Sequence, residues 1–268
     1  MNYPRLLDSA IRAALAAGVK ILEVYESDDF DVTRKDDDSP LTKADLQSQE
    51  TISKILLEES PYPMLGEEGR QIPYSERAKW ETFWLVDPLD GTKEFVKRNG
   101  EFTVNIALVS GNKPVLGVLY VPVKDILYFA FVDAGAFRIE HASEAGVQSI
   151  PEKAVRLPDQ TDRKTPPVVI VASRSHYSEE TAAFVESIKA EHGEVYLIIA
   201  GSALKICLVA EGKADYYPRL APTMEWDVGA GQIIAEEAGC SLVVADTNKP
   251  LRYNRENLVN PHFIVRRI

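Results

Sequence analysis

Phe83-Trp84-Leu85-Val86-Asp87-Pro88-Leu89-Asp90-Gly91-Thr92 passes from four consecutive apolar residues to two acids set three apart around a proline. A short apolar run closed by turn residues predicts a buried strand, which delivers Asp87 and Asp90 to the point where the chain leaves the core. On its N-terminal side the pattern is helical. Leu6, Leu7, Ile11, Leu15, Val19, Leu22 and Tyr25 recur three to four apart, predicting an amphipathic helix over 5–25. A second helix is expected over 43–59, with Thr42 as N-cap, Asp45 three residues on, and Ile52, Ile55 and Leu56 as its apolar face. The acidic stretch 28–38 between them reads as a solvated loop.

On the C-terminal side, strands expected over 102–109, 114–121 and 126–132 follow one another through short turns. They predict an antiparallel meander that Gly135-Ala136-Phe137 extends. Residues 141–166 are polar and punctuated by proline, so a boundary is expected there, dividing 1–160 from 161–268. Beyond it, strands over 168–172, 194–200 and 241–244 should alternate with helices over 178–191, 204–211 and 227–238, which implies a parallel or mixed layer. The reading is α/β (α+β): two subdomains with a cleft between them.

Composition narrows the function. With 30 Lys and Arg against 41 Asp and Glu, the net charge is −11. Such a chain is ill suited to gripping nucleic acid or anionic lipid by charge. At 45% hydrophobic and 26% charged it is not a disordered chain. Cys207 and Cys240 make no disulfide framework, and Cys207, inside Ile206-Cys207-Leu208-Val209, reads as a buried inert thiol. His141, His176, His192 and His262 are too scattered for a zinc site. Asp8, Arg12 and Lys20 interrupt the first apolar stretch, and no run approaches the ~18 residues of a membrane span. A soluble, cytosolic protein without an integral membrane segment is expected.

The acids carry the chemistry. Two carboxylates joined by a proline-fixed turn can converge on one point, where like charges repel unless a cation lies between them. Oxygen ligands favour Mg²⁺ over zinc or copper. Gly91 removes a side chain where the chain bends, so neighbouring amides can reach an anion. Spacing alone equally allows a plain turn, with Asp87 capping it and Asp90-Gly91 in a hairpin. Glu67 and Glu68, in the loop Leu65-Gly66-Glu67-Glu68-Gly69, form a second acidic pair. Asp227, after Trp226, opens a helix; taken alone, Asp227 reads as an N-cap and Glu67 as a solvated loop charge.

Taken together, Leu65-Gly66-Glu67-Glu68, Asp87-Pro88-Leu89-Asp90-Gly91-Thr92 and Trp226-Asp227 resemble the signature of the inositol monophosphatase-like, Mg²⁺-dependent, lithium-sensitive phosphatases. The resemblance covers essentially the whole chain. The continuation Lys93-Glu94-Phe95-Val96-Lys97-Arg98-Asn99-Gly100-Glu101-Phe102-Thr103 resembles the CysQ-type 3'(2'),5'-bisphosphate nucleotidases within that superfamily. So do Ser39-Pro40-Leu41-Thr42-Lys43-Ala44-Asp45, Ser173-Arg174-Ser175-His176, Gly201-Ser202-Ala203-Leu204-Lys205 and Tyr217-Pro218-Arg219. One departure is Gly66, where Ser often precedes the Glu pair. Segment 220–225 is a candidate lid or wall.

The resemblance implies a layered α-β-α-β-α sandwich of the inositol monophosphatase/fructose-1,6-bisphosphatase type. It implies two or three Mg²⁺ ions on Glu67, Asp87, Asp90, Asp227 and the carbonyl of Leu89, with Asp87 bridging two of them. Thr92 would position the attacking water and Asp45 would take its proton through Thr92, a role that some family accounts give to Glu67. Glu67, Leu89, Asp90, Gly91, Thr92 and Asp227 would meet the scissile phosphate. His176, Ser202, Lys205 and Arg219 would contact the adenine and the 5'-phosphate, and Lys93, Lys97 and Arg98 would add positive field or simply be exposed.

The implied activity is hydrolysis of adenosine 3',5'-bisphosphate to AMP and phosphate, with the sulfate-carrying analogue also accepted, by a monomer or homodimer inhibited by Li⁺. Some relatives lie at the inner face of the cytoplasmic membrane, so a peripheral position there stays open. The alternatives are an inositol or sugar monophosphatase and an inert metal- or nucleotide-binding regulator.

Overall fold

The computed structural model describes residues 1–27, 30–34, 40–145, 147, 150–159, 167–174 and 177–268. Most of the expected acidic loop, part of the boundary segment, and Ser175 and His176 lie outside them.

Helix α1 (Tyr3–Tyr25) and helix α2 (Lys43–Glu59) open the chain. Strands β1 (Met64–Gly66), β2 (Thr82–Asp90), β3 (Thr103–Ser110), β4 (Lys113–Val121), β5 (Ile126–Phe131), β6 (Gly135–Glu140) and β7 (Val155–Arg156) form a seven-stranded sheet in chain order, with the short helix α3 (Thr92–Val96) after β2. Strand β1 is parallel to β2, and the rest is an antiparallel meander. A second sheet holds β8 (Val168–Ser173), β9 (Val195–Ala200), β10 (Tyr216–Arg219), β11 (Cys240–Val244) and β12 (Phe263–Arg267), in the order β9-β8-β10-β12-β11. It is mixed: β8 is parallel to β9 and β10, while β12 is antiparallel to β10 and β11. Helices α4 (Glu179–His192), α5 (Leu204–Ala210) and α6 (Glu225–Glu237) complete the fold.

Helices α1 and α2 cover one face of the larger sheet, α5 and α6 lie between the two sheets, and α4 covers the outer face of the smaller one. The result is the five-layer α-β-α-β-α sandwich. Layering explains why β2 is apolar without alternation. Trp84, Val86 and Leu89 enter the core beneath α1 and α2, whereas Phe83 and Leu85 enter the core between the sheets. A strand covered on both faces has no solvent side to mark with polar residues. The middle core draws on both sides of residue 160, joining Phe83 and Val109 to Val171 and Val265. Cys240 is free and buried in it; Cys207 is free and buried beside Leu119, Val121 and Ile234, and burial pushes its thiol well above its ordinary range. Among the described residues, no helix is long and apolar enough to cross a membrane.

The structure corrects three details. Val19 is 53% exposed rather than buried. Helix α1 is pressed by α2 and the sheet along Ala10, Ala14, Ala17 and Ile21, so small residues let the neighbours close in and displace the buried stripe. Strands β1, β7, β10 and β12 were not expected: two to five residues carry too little period to set a strand apart from a loop without clear apolar runs. Helix α6 begins two residues earlier than expected. Its N-cap is Met224, and Asp227, the expected cap, stands three residues on and accepts the Met224 N–H at 2.9 Å through Oδ2.

Candidate active site

Residues i and i+3 of a regular strand point to opposite faces. Opposite β3 the register shifts: Asp87 pairs with Asn105 and Asp90 with Thr103, so three steps on β2 match two on its partner. The extra residue is a bulge that restores both acids to the same face. Pro88 sits at the bulge, where a missing N–H costs no ladder bond, and its carbonyl accepts from the buried Ser48 hydroxyl at 2.7 Å. Gly91 then takes φ +95, a left-handed conformation that suits glycine, and α3 begins at Thr92. The hairpin alternative is thereby excluded. The capping alternative holds in part, since Asp87 Oδ1 accepts the Leu89 N–H at 3.0 Å.

Three chain segments bring their acids together. Glu67 follows β1, its N–H bonded to the Val86 carbonyl at 3.1 Å, and Asp227 stands in the first turn of α6. One carboxylate oxygen each from Glu67, Asp87 and Asp227 lies within 4.8 Å of the other two. Asp87 is 1% exposed, and its Oδ2 is buried without a hydrogen-bond partner. Burial, then the charges of Glu67, Asp90 and Asp227, pushes the Asp87 carboxyl well above the usual carboxylate range. Burial and the charges of Asp90 and Glu67 do the same to Asp227. An orphaned carboxylate oxygen facing two further acids is a donor set that fits a hard divalent cation.

Asp90 stands beside this trio but outside it. Its Oδ2 accepts the Ala203 N–H at 2.5 Å and lies 3.5 Å from Asn105 Nδ2. Burial raises its pKa, while the charge of Lys205 opposes the rise. Asp45 serves two masters: Oδ2 takes the Thr42 N–H and hydroxyl in the α2 capping box, and Oδ1 accepts the Thr92 hydroxyl at 3.2 Å. Thr92 Oγ1 is also 3.4 Å from the Leu89 carbonyl, so Asp45, Thr92 and Leu89 share one hydrogen-bonded corner.

A cleft of about 370 Å³ adjoins this corner. Glu67, Asp90, Thr92 and Asp227 line it together with Ser202, Lys205, Tyr217 and Arg219. Lys205 is 3% exposed, with Nζ donating to the Ser202 carbonyl and lying 5.5 Å from the centre of the Tyr217 ring. Burial pulls its pKa down to about 8, against the charge of Asp90. Arg219 is 8% exposed and donates to the Pro222 carbonyl at 2.8 Å, while its Nε is buried without a partner. Segment 220–225 is a wall, through Pro222, Thr223 and Met224. His176 lies outside the described residues. Lys93 is exposed at the cleft, whereas Arg98 packs 4.8 Å over the Phe30 ring and bonds the Ser27 carbonyl, away from the site.

Residues 3–264 match the inositol monophosphatase family. The chain belongs to that family. Within it, the chain is 42% identical over 264 residues to the 3'(2'),5'-bisphosphate nucleotidase CysQ of Escherichia coli K12, covering 97% of this chain and 99% of that one. It is 32% identical to CysQ of Haemophilus influenzae, covering 97% and 92%. The crystal structure of CysQ from Bacteroides thetaiotaomicron superposes with a TM-score of 0.90 at 50% identity, covering 100% of this chain and 98% of that one. SuhB from Bartonella henselae, at 24% identity and a TM-score of 0.75, shares the family fold.

Sequence reasoning missed several residues of the site. Tyr217 was within reach, since it stands in the Tyr217-Pro218-Arg219 motif. Asn105 and Glu225 were not. Asn105 reaches Asp90 only across the bulged strand pair, and Glu225, wholly buried, accepts the Asn254 and Arg255 N–H groups at 2.7 and 3.1 Å to anchor the start of α6.

Proposed function

We propose that the chain is a Mg²⁺-dependent 3'(2'),5'-bisphosphate nucleotidase, cleaving the 3'-phosphate of adenosine 3',5'-bisphosphate to give AMP and phosphate. One observation carries this reading: a single cleft is lined both by Glu67 and Asp227 of the converging carboxylates and by two buried cations, Lys205 and Arg219. A substrate with two phosphates suits both groups. An ester with one phosphate gives the second group no anion to receive. The 42% identity to CysQ supports the same substrate.

In this reading Glu67, Asp87, Asp90, Asp227 and the Leu89 carbonyl hold Mg²⁺, which supplies charge neutralisation at the phosphate and acidifies water. Thr92, fixed by Asp45, orients the attacking water, and Asp45 takes the water's proton through the Thr92 hydroxyl as the water oxygen bonds to phosphorus; the bond to the 3'-oxygen breaks and that oxygen takes a proton from solvent. Lys205 and Arg219 grip the 5'-phosphate, Arg219 with planar donors that match it, and Ser202 and His176 complete the nucleoside contacts. Residues 1–160 thus supply the chemistry apart from Asp227, and residues 161–268 the recognition.

The test compares kcat/KM for adenosine 3',5'-bisphosphate and inositol 1-phosphate, with Mg²⁺ and with chelator. Metal-dependent preference for the bisphosphate is expected. A preference of about a hundredfold for the inositol ester would sink the substrate assignment.

A further inference from the structure

Ser202 lies in the left-handed region at φ +47. A residue with a side chain keeps that conformation only where its surroundings over-determine it. Two carboxylates from distant sequence do so here. Asp90 Oδ2 takes the Ala203 N–H at 2.5 Å, and Glu101 Oε2 takes the Gly201 N–H at 2.9 Å, so Ser202 is clamped from both flanks. Glu101 is itself braced, by Arg174 Nη2 at 3.1 Å and by Asn99 Oδ1, which accepts the Glu101 N–H at 2.9 Å. Its carbonyl approaches Gly201 so closely that a Cβ there would come within 2.8 Å, and a Cβ on Gly91 would come within 3.2 Å of the same oxygen. One residue therefore abuts both the turn that launches Thr92 and the turn that carries Ser202, whose carbonyl receives Lys205 Nζ.

We propose that Glu101 is a positioning residue for the nucleotide: by holding the Gly201 N–H it sets the Ser202 turn, and through it Lys205, to receive the anionic end of the substrate. The proposal rests on the nucleotidase reading above. The ion pair with Arg174 contributes less than the bond to Gly201, because the Arg174 side chain is 42% exposed and the pair is screened by solvent.

The test uses the full chain with Mg²⁺ and adenosine 3',5'-bisphosphate. Glu101→Ala removes the acceptor, whereas Glu101→Gln keeps a carbonyl oxygen for the Gly201 N–H. Glu101→Ala should raise KM about tenfold while kcat falls less than about threefold, and Glu101→Gln should return KM to within about threefold of the unaltered chain. Binding of AMP, measured by calorimetry in EDTA, should weaken in parallel with KM. If Glu101→Ala melts below the assay temperature, Glu101→Asp, whose acceptor is withdrawn by one methylene, carries the same expectation. An unchanged KM, or Glu101→Gln no better than Glu101→Ala, overturns the positioning role. Failure of the unaltered chain to turn over the bisphosphate overturns the nucleotidase reading, and this proposal with it.

Discussion

The acids and the cations of the site are buried in opposite ways. Glu67, Asp87 and Asp227 face one another, and Asp87 keeps a buried oxygen with no partner. Lys205 has the Ser202 carbonyl, the Tyr217 ring and the charge of Asp90, and Arg219 has the Pro222 carbonyl. The acidic group is incomplete by itself; the basic group is largely answered by the fold. The difference teaches where binding energy is stored: mutual repulsion awaits a cation in one group, and a preformed cradle awaits an anion in the other.

The sharpest way to break this contrast is Asp87→Asn. Turnover should fall by about a thousandfold or more, since the residues that would hold the metal lose one of their charges. Without metal, the same variant should melt about 3 °C or more higher, because a buried repulsion is relieved. Thermal melts in EDTA decide this. A lower melting temperature would mean that the trio is not strained.

Arg219→Met tests the basic group. KM for the bisphosphate should rise about 10- to 100-fold, with a smaller effect on kcat, as expected for a charge-assisted contact to a phosphate. Steady-state kinetics with the bisphosphate and with 3'-AMP measure it, and equal losses on both substrates would remove the 5'-phosphate from Arg219.

The two groups should also respond oppositely to pH. Asp87 and Asp227 titrate higher folded than unfolded, so from the unfolded value of ~3.9 upward the native state binds more protons. Metal-free stability should therefore decline as pH rises through the folded values, and Mg²⁺ should flatten the decline in melts across pH. Lys205 titrates lower folded than unfolded, at about 8 against 10.5. Across that window the unfolded chain binds the extra proton, so the penalty for burying the charge is lifted as pH rises, while the pull on an anion fades. KM for the bisphosphate should climb above pH about 8, and a flat profile to pH 9.5 would discount Lys205.

The smallest effect is expected at Ser48, which ties α2 to the Pro88 bulge through one buried bond. Ser48→Ala should cost about 1 kcal/mol in denaturant unfolding. A loss near zero would mean that the bulge holds its shape without it.

Much of this was legible in the chain. Thr42 and Asp45 announced the start of α2 because a capping box is local, and the apolar run at Phe83 announced β2 because burial on both faces suppresses alternation. The meander was readable from its turns. Val19 misled because a periodic pattern cannot say which neighbours press on a helix, and Asp227 misled because an acid in the first turn suits either the cap or the third position.

Residue types and their order were enough, without coordinates, to establish the α/β class and the acidic character of the site, and the motifs' resemblance to a known family implied the layered sandwich. Strand and helix signals are matters of local pattern, and local pattern survives in one dimension. Contacts across the fold were settled only in three. The bulge that turns Asp87 and Asp90 to one face depends on pairing with β3. The bonds from Asp90 to Ala203 and from Glu101 to Gly201 join residues 113 and 100 positions apart. No spacing encodes such pairs, because they arise when two sheets pack around α5 and α6 and bring loops from opposite halves within hydrogen-bond reach.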